Sequence, residues 1–301
     1  MTTTDPITAI TAPDPDTPPI SNRREALYFA VRNGKLLVGV GIVTIFLLIG
    51  IVGPFLVKSP PMEYVGQPMM PPDGEYWLGT TTFGQDVLAQ FVYGVRSAFV
   101  VGVLAGGLAA LIGMVIGFVA GYRGGLVDEI LNMLTNVVLV IPTLAVLLII
   151  NAYLGVRSVG MQSLFIGLTS WPWVARAIRA QTFSLRSRDF VDLARLSGVR
   201  TGRIILREIA PNMSSYLFMT FILLFGSSIL IASSLDFIGL GPTDGVSLGV
   251  MLNHANQWSA LPLGLWWWFI PPGVAITAIV GALYVANVGL DEVFNPKLRE
   301  L

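Results

Sequence analysis

Long uncharged stretches alternate with short charged ones along this chain. Residues 36–57, 97–122, 130–156, 158–175, 209–235 and 245–290 contain no Asp, Glu, Lys or Arg. About 20 apolar residues in a helix rise about 30 Å, the thickness of a bilayer's hydrocarbon core. Each of the first five stretches therefore predicts a membrane-spanning helix. The sixth opens with a polar, Gly- and Asn-rich portion, which moves its predicted span to 263–287. The pattern is that of an all-α integral membrane protein with six transmembrane helices. The fourth is the shortest, and Arg176 and Arg179 just beyond it are expected to snorkel to the interface.

Two features inside the spans carry structural meaning. Gly102, Gly106, Gly113, Gly117 and Gly121 recur at short, mostly four-residue spacing in the second span. Small residues so spaced let helices approach closely in lipid, either within the chain or against a partner subunit. Pro142 and Pro172 fall inside the third and fourth predicted spans, where a missing backbone N–H favours a kink.

The cations set the orientation. All Lys and Arg except Lys58, Arg96 and Arg157 fall on one side of the predicted spans. Cytoplasmic segments carry the excess of Lys and Arg, so both termini are expected in the cytoplasm. Residues 1–24, rich in Thr, Pro and Asp, are expected to form a disordered cytoplasmic tail. Residues 25–57 hold the first span, an uncleaved signal anchor too long for a signal-peptide core. An external loop follows at 58–96, Pro-rich in its first part. The core of helices two to six runs over 97–290, and 291–301 form a cytoplasmic tail. Trp258, Trp266, Trp267 and Trp268 are expected to form an aromatic belt at the external interface.

Composition narrows the function. Hydrophobic residues make up 54% of the chain and charged residues only 12%, with mean hydropathy +0.73. Soluble domains carry about 25% charged residues, so this chain needs the bilayer as solvent. Its net charge of zero argues against nucleic acid, which demands a basic excess. Without cysteine there is no disulfide or thiolate metal site. The single histidine, His254, cannot build a metal cluster and is expected in an external loop. No GxSxG, HExxH or phosphate-loop pattern occurs, since Gly34-Lys35 is followed by Leu36. No catalytic residue, metal site or cofactor site is therefore expected. An ion-coupled transporter would carry ionisable groups inside the membrane. Here Asp128, Glu129 and Asp236 stand only at the ends of predicted spans.

The most informative segment is 184–212, SLRSRDFVDLARLSGVRTGRIILREIAPN. It is too polar to span and too patterned for a tether. Asp189 is expected to cap a short helix. Phe190, Leu193 and Ala194 should share one face, with Leu196 and Ser197 completing the turn. Gly198 suits a left-handed C-cap. Thr201 should cap a second short helix, and Pro211 should open the fifth span. On these grounds alone, an amphipathic helix lying on anionic lipid is also open, because arginines flank it.

Asp192-Leu193-Ala194, Gly198 and Pro211, with the glycine and proline thirteen positions apart, resemble the EAA loop of ABC importer permeases. Leu193 stands where that family usually has a small residue, and Glu208 where this branch often has histidine. YWLGT at 76–80 and FGQDVLAQFVYGVRSA at 83–98 resemble the signature of the second permease of dipeptide/oligopeptide/nickel importers, with Gln85 in place of the usual Arg. GYRGGLVDE at 121–129, RAQTFSLRSRDFV at 179–191, FIGLG at 237–241 and FNPKLR at 294–299 resemble the same branch. The resemblance covers residues 25–300. It implies the type I ABC importer permease fold in a prokaryotic cell membrane. It also implies a coupling helix made by Asp189, Phe190, Asp192, Leu193, Ala194, Leu196, Ser197, Gly198, Val199 and Pro211. The implied partners are a homologous permease, one or two cytoplasmic ATPase subunits that bind ATP and Mg, and an external solute-binding protein, which the loop at 58–86 is placed to meet. Peptides are the first substrate expected, with oligosaccharides and then nickel as alternatives. Tryptophans 258–268 would suit sugar stacking.

Overall fold

The computed structural model describes residues 29–57, 59–153, 157–243 and 245–294. The expected tail at 1–24 lies outside the described residues; of the expected tail at 291–301, residues 291–294 continue the last helix and 295–301, with most of FNPKLR, lie outside the described residues. So do Lys58 and the end of the third predicted span at 154–156.

Helix α1, Gly34–Leu56, starts at Asn33, whose side chain accepts from the Leu36 N–H at 2.8 Å. Helix α2 runs over Val87–Arg123, 37 residues, starting ten positions before the predicted span at 97. The charge that ended the apolar run, Arg96, is exposed and does not interrupt the backbone ladder. Asp86 caps this start by accepting from the Leu88 N–H at 2.8 Å. Helices α3, Gly125–Val140, and α4, Thr143–Tyr153, replace the single third span and are bent by 74° at Pro142. A proline lacks the N–H that would continue the ladder, so the expected kink is a break. The predicted fourth span is likewise divided, into α5, Val159–Ser170, and α6, Pro172–Leu185. Pro172 stands at the first position of α6 rather than inside a helix, where its fixed φ suits the start.

After the short helices α7, Asp189–Leu196, and α8, Thr201–Ile204, the chain passes a π turn at Ile205–Ile209 and a single turn at Ala210–Asn212. Regular helix resumes as α9, Ser214–Leu235, later than the expected 209. Pro211 removes one N–H from the ladder, and wide and broken turns are its usual companions. A second π turn, Asp236–Leu240, extends α9, then come α10, Leu248–Gln257, and α11, Trp266–Phe294. His254 lies half-buried within α10 and not in a loop; its burial pushes the imidazole below its ordinary range. Among the described residues, α1, α2, α9 with its π turn, and α11 are each long and apolar enough to cross a bilayer. The bent pair α3–α4 makes a fifth if taken as one span.

Helix α2 is the spine. A Cβ placed on Gly102 would meet the Phe225 ring at 2.5 Å, and one on Gly117 would meet the Ala175 carbonyl oxygen at 2.7 Å. Gly106, Gly113 and Gly121 are similarly pressed by α9 and α6, so the glycine stripe serves packing within this chain. Helix α1 lies antiparallel along α11, with Gly39 against Ala282 and Ala286 and Gly289 against Leu36. Glu292 accepts from Asn33 at 2.7 Å and pairs with Lys35. The start of α1 and the end of α11 therefore share one end of the bundle, the arginine-rich end.

The opposite end is closed by residues 59–86. This segment is not a loose loop. Met69 N–H donates to the Thr81 carbonyl at 2.9 Å, Thr80 N–H to the Met70 carbonyl at 2.9 Å, and the Tyr76 hydroxyl to the Val65 carbonyl at 2.8 Å. Trp267 Nε1 donates to the Thr80 carbonyl at 3.2 Å. Trp267, bonded to this segment, and Trp268, within the main core cluster, are buried, and of the four only Trp258 and Trp266 are exposed as a belt would require. The expected four-tryptophan belt is thus reduced to two, because the folded segment engages Trp267 and the core takes Trp268.

Candidate functional site

Segment 184–212 emerges from α6, and α6 is tied firmly to α3. Arg179 engages both carboxylate oxygens of Asp128, with Nη2 to Oδ2 at 2.5 Å. Arg176 Nη2 donates to Asn136 Oδ1 at 2.6 Å. A bidentate guanidinium–carboxylate pair fixes orientation as well as distance, so these two helices are positioned as a unit.

Helix α7 then begins at Asp189. The N-cap position belongs to Arg188, and no side chain caps the helix. Asp189 and Asp192 sit in the first turn, where carboxylates favour the positive end of the helix dipole. The expected apolar face is also rotated. Phe190, Val191 and Ala194 pack into the core with Val199, and Val191 is fully buried. Leu193 points outward at 65% exposure and Leu196 at 86%. On a helix, residues three and four apart are neighbours, so Asp189, Leu193 and Leu196 form one outward crest.

The helix ends at Gly198 as expected. Gly198 has φ +72°, its N–H donates to the Arg195 carbonyl at 3.1 Å, and the Val199 N–H donates to the Ala194 carbonyl at 3.1 Å. That is a complete Schellman motif, with Val199 over Ala194 as its apolar contact. Open space surrounds the glycine, so φ alone requires it. Ser197 Oγ donates to the Leu193 carbonyl at 2.8 Å. Thr201 is the first residue of α8, whose N-cap is Arg200, and its side chain caps nothing. Ile204 and Ile209 are buried beside Val191. Pro211 is exposed and stands outside the α7 crest.

The family model described as a binding-protein-dependent transport system inner membrane component matches residues 113–300, which include this whole segment. The chain belongs to that family. As an inner membrane component, it is a multi-pass membrane protein. It is 31% identical to the dipeptide transport system permease protein DppC of Alkalihalophilus pseudofirmus over 95% of this chain and 96% of the relative. It is also 31% identical to DppC of Bacillus subtilis, over 94% and 88%. A putative peptide transport system permease protein of Brucella abortus is 30% identical over 89% and 90%.

The inner membrane component also buries polar residues whose partners sequence reasoning did not foresee. Asp236 is buried, with Gln162 Nε2 donating to Oδ1 at 2.6 Å and the Ser247 hydroxyl donating to Oδ2. Ser247 in turn caps α10. Asp236 stands at the end of α9, where it was expected, and there it fastens α5, α9 and α10 together. The only signal in the sequence was an acid directly before FIGLG. Gln85, the departure from the family's usual Arg, is also buried, donating to the Met62 carbonyl at 3.1 Å and accepting from Gln90 at 2.9 Å.

Proposed function

We propose that this chain is one of two related membrane subunits of an ATP-driven importer and lines half of a path for peptides. The outward crest of α7 carries the reading. Two leucines exposed beside two carboxylates, on a helix anchored by Val191 and stopped by a Schellman motif, suit insertion into a groove of a cytoplasmic ATPase. Peptides are the substrate class because the relatives are named dipeptide or peptide permeases. Trp267 and Trp268 are already used in packing, which leaves only Trp258 and Trp266 exposed for sugar stacking. Nickel has no cluster of ligating side chains in its favour among the described residues.

In this reading the six spans are α1, α2, the bent pair α3–α4, the pair α5–α6, α9 and α11. The arginine-rich end faces the cytoplasm, by the excess of cations there. ATP and Mg belong to one or two partner ATPases, and the chain itself is non-catalytic. Residues 59–86 form the outer surface offered to a solute-binding protein. ATP-driven closure of the ATPases moves α7 as a rigid body. Its packing against α8 and the π turn passes that motion into the bundle, and the Arg179–Asp128 clamp links α6 to α3.

The test is a double substitution, Leu193→Asp with Leu196→Asp, in the assembled transporter. Both side chains already face outward, so the subunit should insert and fold normally. Recovery of the ATPase with the tagged subunit should fall to background, and dipeptide uptake should fall with it. Undiminished recovery and uptake would overturn the assignment of α7.

A further inference from the structure

Beside the α7 crest lies a polar cavity of about 420 Å³, lined by Tyr122, Arg123, Arg186, Ser187, Asp192 and Arg195. Its charge is lopsided, with three guanidinium groups and one carboxylate. The carboxylate is already engaged, since Arg195 Nη1 donates to Asp192 Oδ1 at 2.9 Å. Arg123 and Arg186 have no carboxylate within ion-pair distance among the described residues.

Aromatic rings and backbone hold two of the three cations in place. The Arg186 guanidinium stands 4.1 Å from the Phe183 ring centroid and donates weakly to the Gly121 carbonyl at 3.4 Å. Arg195 stands 5.8 Å from the Tyr122 ring centroid. Both distances lie within reach of cation–π attraction. A guanidinium so oriented is less free to follow a carboxylate and better able to receive an anion with parallel N–H groups.

Its height and direction decide which anion. Tyr122 and Arg123 end α2, where the long apolar run gives way to charge. An aromatic followed by a cation at that point marks the membrane–water interface. Around α7, Asp192 and Arg195 lie on the flank that lines the cavity, whereas Asp189, Leu193 and Leu196 form the crest, so the cavity can be filled while the crest is covered. We infer that this cavity is a binding site for the phosphate of an anionic phospholipid head group, held by Arg123, Arg186 and Arg195 with Tyr122 beside it. Basic pockets between spans on this side of a membrane suit such head groups.

The experiment uses the full chain with its co-purifying partners, reconstituted into nanodiscs of phosphatidylcholine containing a minor fraction of phosphatidylglycerol. Lipid retained by the complex is then read by native mass spectrometry after delipidation. The expected result is enrichment of phosphatidylglycerol over its bulk fraction. The double variant Arg123→Gln/Arg186→Gln should lose that enrichment severalfold, whereas Arg203→Gln, an exposed arginine outside the cavity, should keep it. Equal enrichment in the double variant would overturn the site. A double variant that keeps the lipid but sheds the ATPase would overturn it in favour of a protein contact. Inorganic phosphate bound by the delipidated wild type, with no preference for phosphatidylglycerol, would overturn the lipid in favour of a free anion.

Discussion

The two ends of this bundle treat their polar groups in opposite ways. At the end closed by residues 59–86, Thr80 and Thr81 are completely buried, and Gln85, Trp267 and the Nε2 of Gln90 find partners within the chain, whereas Thr82 Oγ1, Gln90 Oε1 and Trp268 Nε1 are left without one. Buried polar groups without partners would be costly there. At the arginine-rich end, Arg188, Arg200, Arg203 and Arg207 are exposed, and no side-chain hydrogen bond or ion pair engages them among the described residues. Leu193, Leu196 and Leu206 are exposed beside them. One end is covered by the chain itself, with most of its polar groups paired. The other presents apolar and cationic groups together, the mixture that a partner surface and a lipid head group complete. Folding stability should therefore be concentrated at the first end and transport coupling at the second.

The largest effect that sharpens this contrast is on folding. Trp268 is 1% exposed within the main core cluster. Truncating a buried tryptophan to alanine typically costs about 3–5 kcal/mol, so Trp268→Ala should lower the thermal unfolding midpoint of the detergent-purified subunit sharply. Leu196→Ala, a change of an 86% exposed side chain, should leave that midpoint nearly unchanged. Equal losses in the two variants, measured by the same unfolding assay, would break the distinction between a self-contained and an unfinished end.

A smaller effect separates shape from packing within α7. At Gly198 a Cβ would touch nothing, but φ is +72°. A left-handed residue other than glycine costs about 1–2 kcal/mol, with Asn among the better tolerated. Gly198→Ala should reduce ATP-driven uptake while the global unfolding midpoint barely moves, and Gly198→Asn should restore much of the uptake. Equal impairment by both would mean that something other than the left-handed turn requires glycine here.

Much of this architecture can be read from charge alone. Uncharged runs located α1, α9 and α11 to within a few residues at most boundaries, because a charge inside hydrocarbon is expensive. The same rule misplaced the start of α2, since Arg96 ends an apolar run without ending a helix. It also joined what Pro142 and Pro172 divide. In the coupling segment, Gly198 was legible because a glycine at a helix end has one common reason. The phase of α7 was not: two turns are too few for a repeat to show, and Val191, rather than Leu193, completes the buried face. Asp236 was hidden for a different reason. Its donors Gln162 and Ser247 stand 74 and 11 positions away, a proximity that only the packing of α5 and α10 against α9 creates.

The smallest expected effect tests whether charge is a burden at the self-contained end. Asp86 caps α2 from the folded outer segment, and burial raises its carboxyl above the ordinary 3.8, opposed by hydrogen bonds from the Leu88 and Ala89 N–H groups. A carboxyl raised by folding binds its proton more readily in the native state. Its contribution to stability is then fully present below the ordinary value and is lost as pH rises through the raised one. Asp86→Asn keeps a capping oxygen and removes the titration. The unfolding midpoint of the wild type, relative to Asp86→Asn, should therefore climb as pH is lowered from neutral toward 4. A difference that stays flat, or that falls, would mean that the cap's hydrogen bonds outweigh its burial and that this end accommodates a charge as readily as the other.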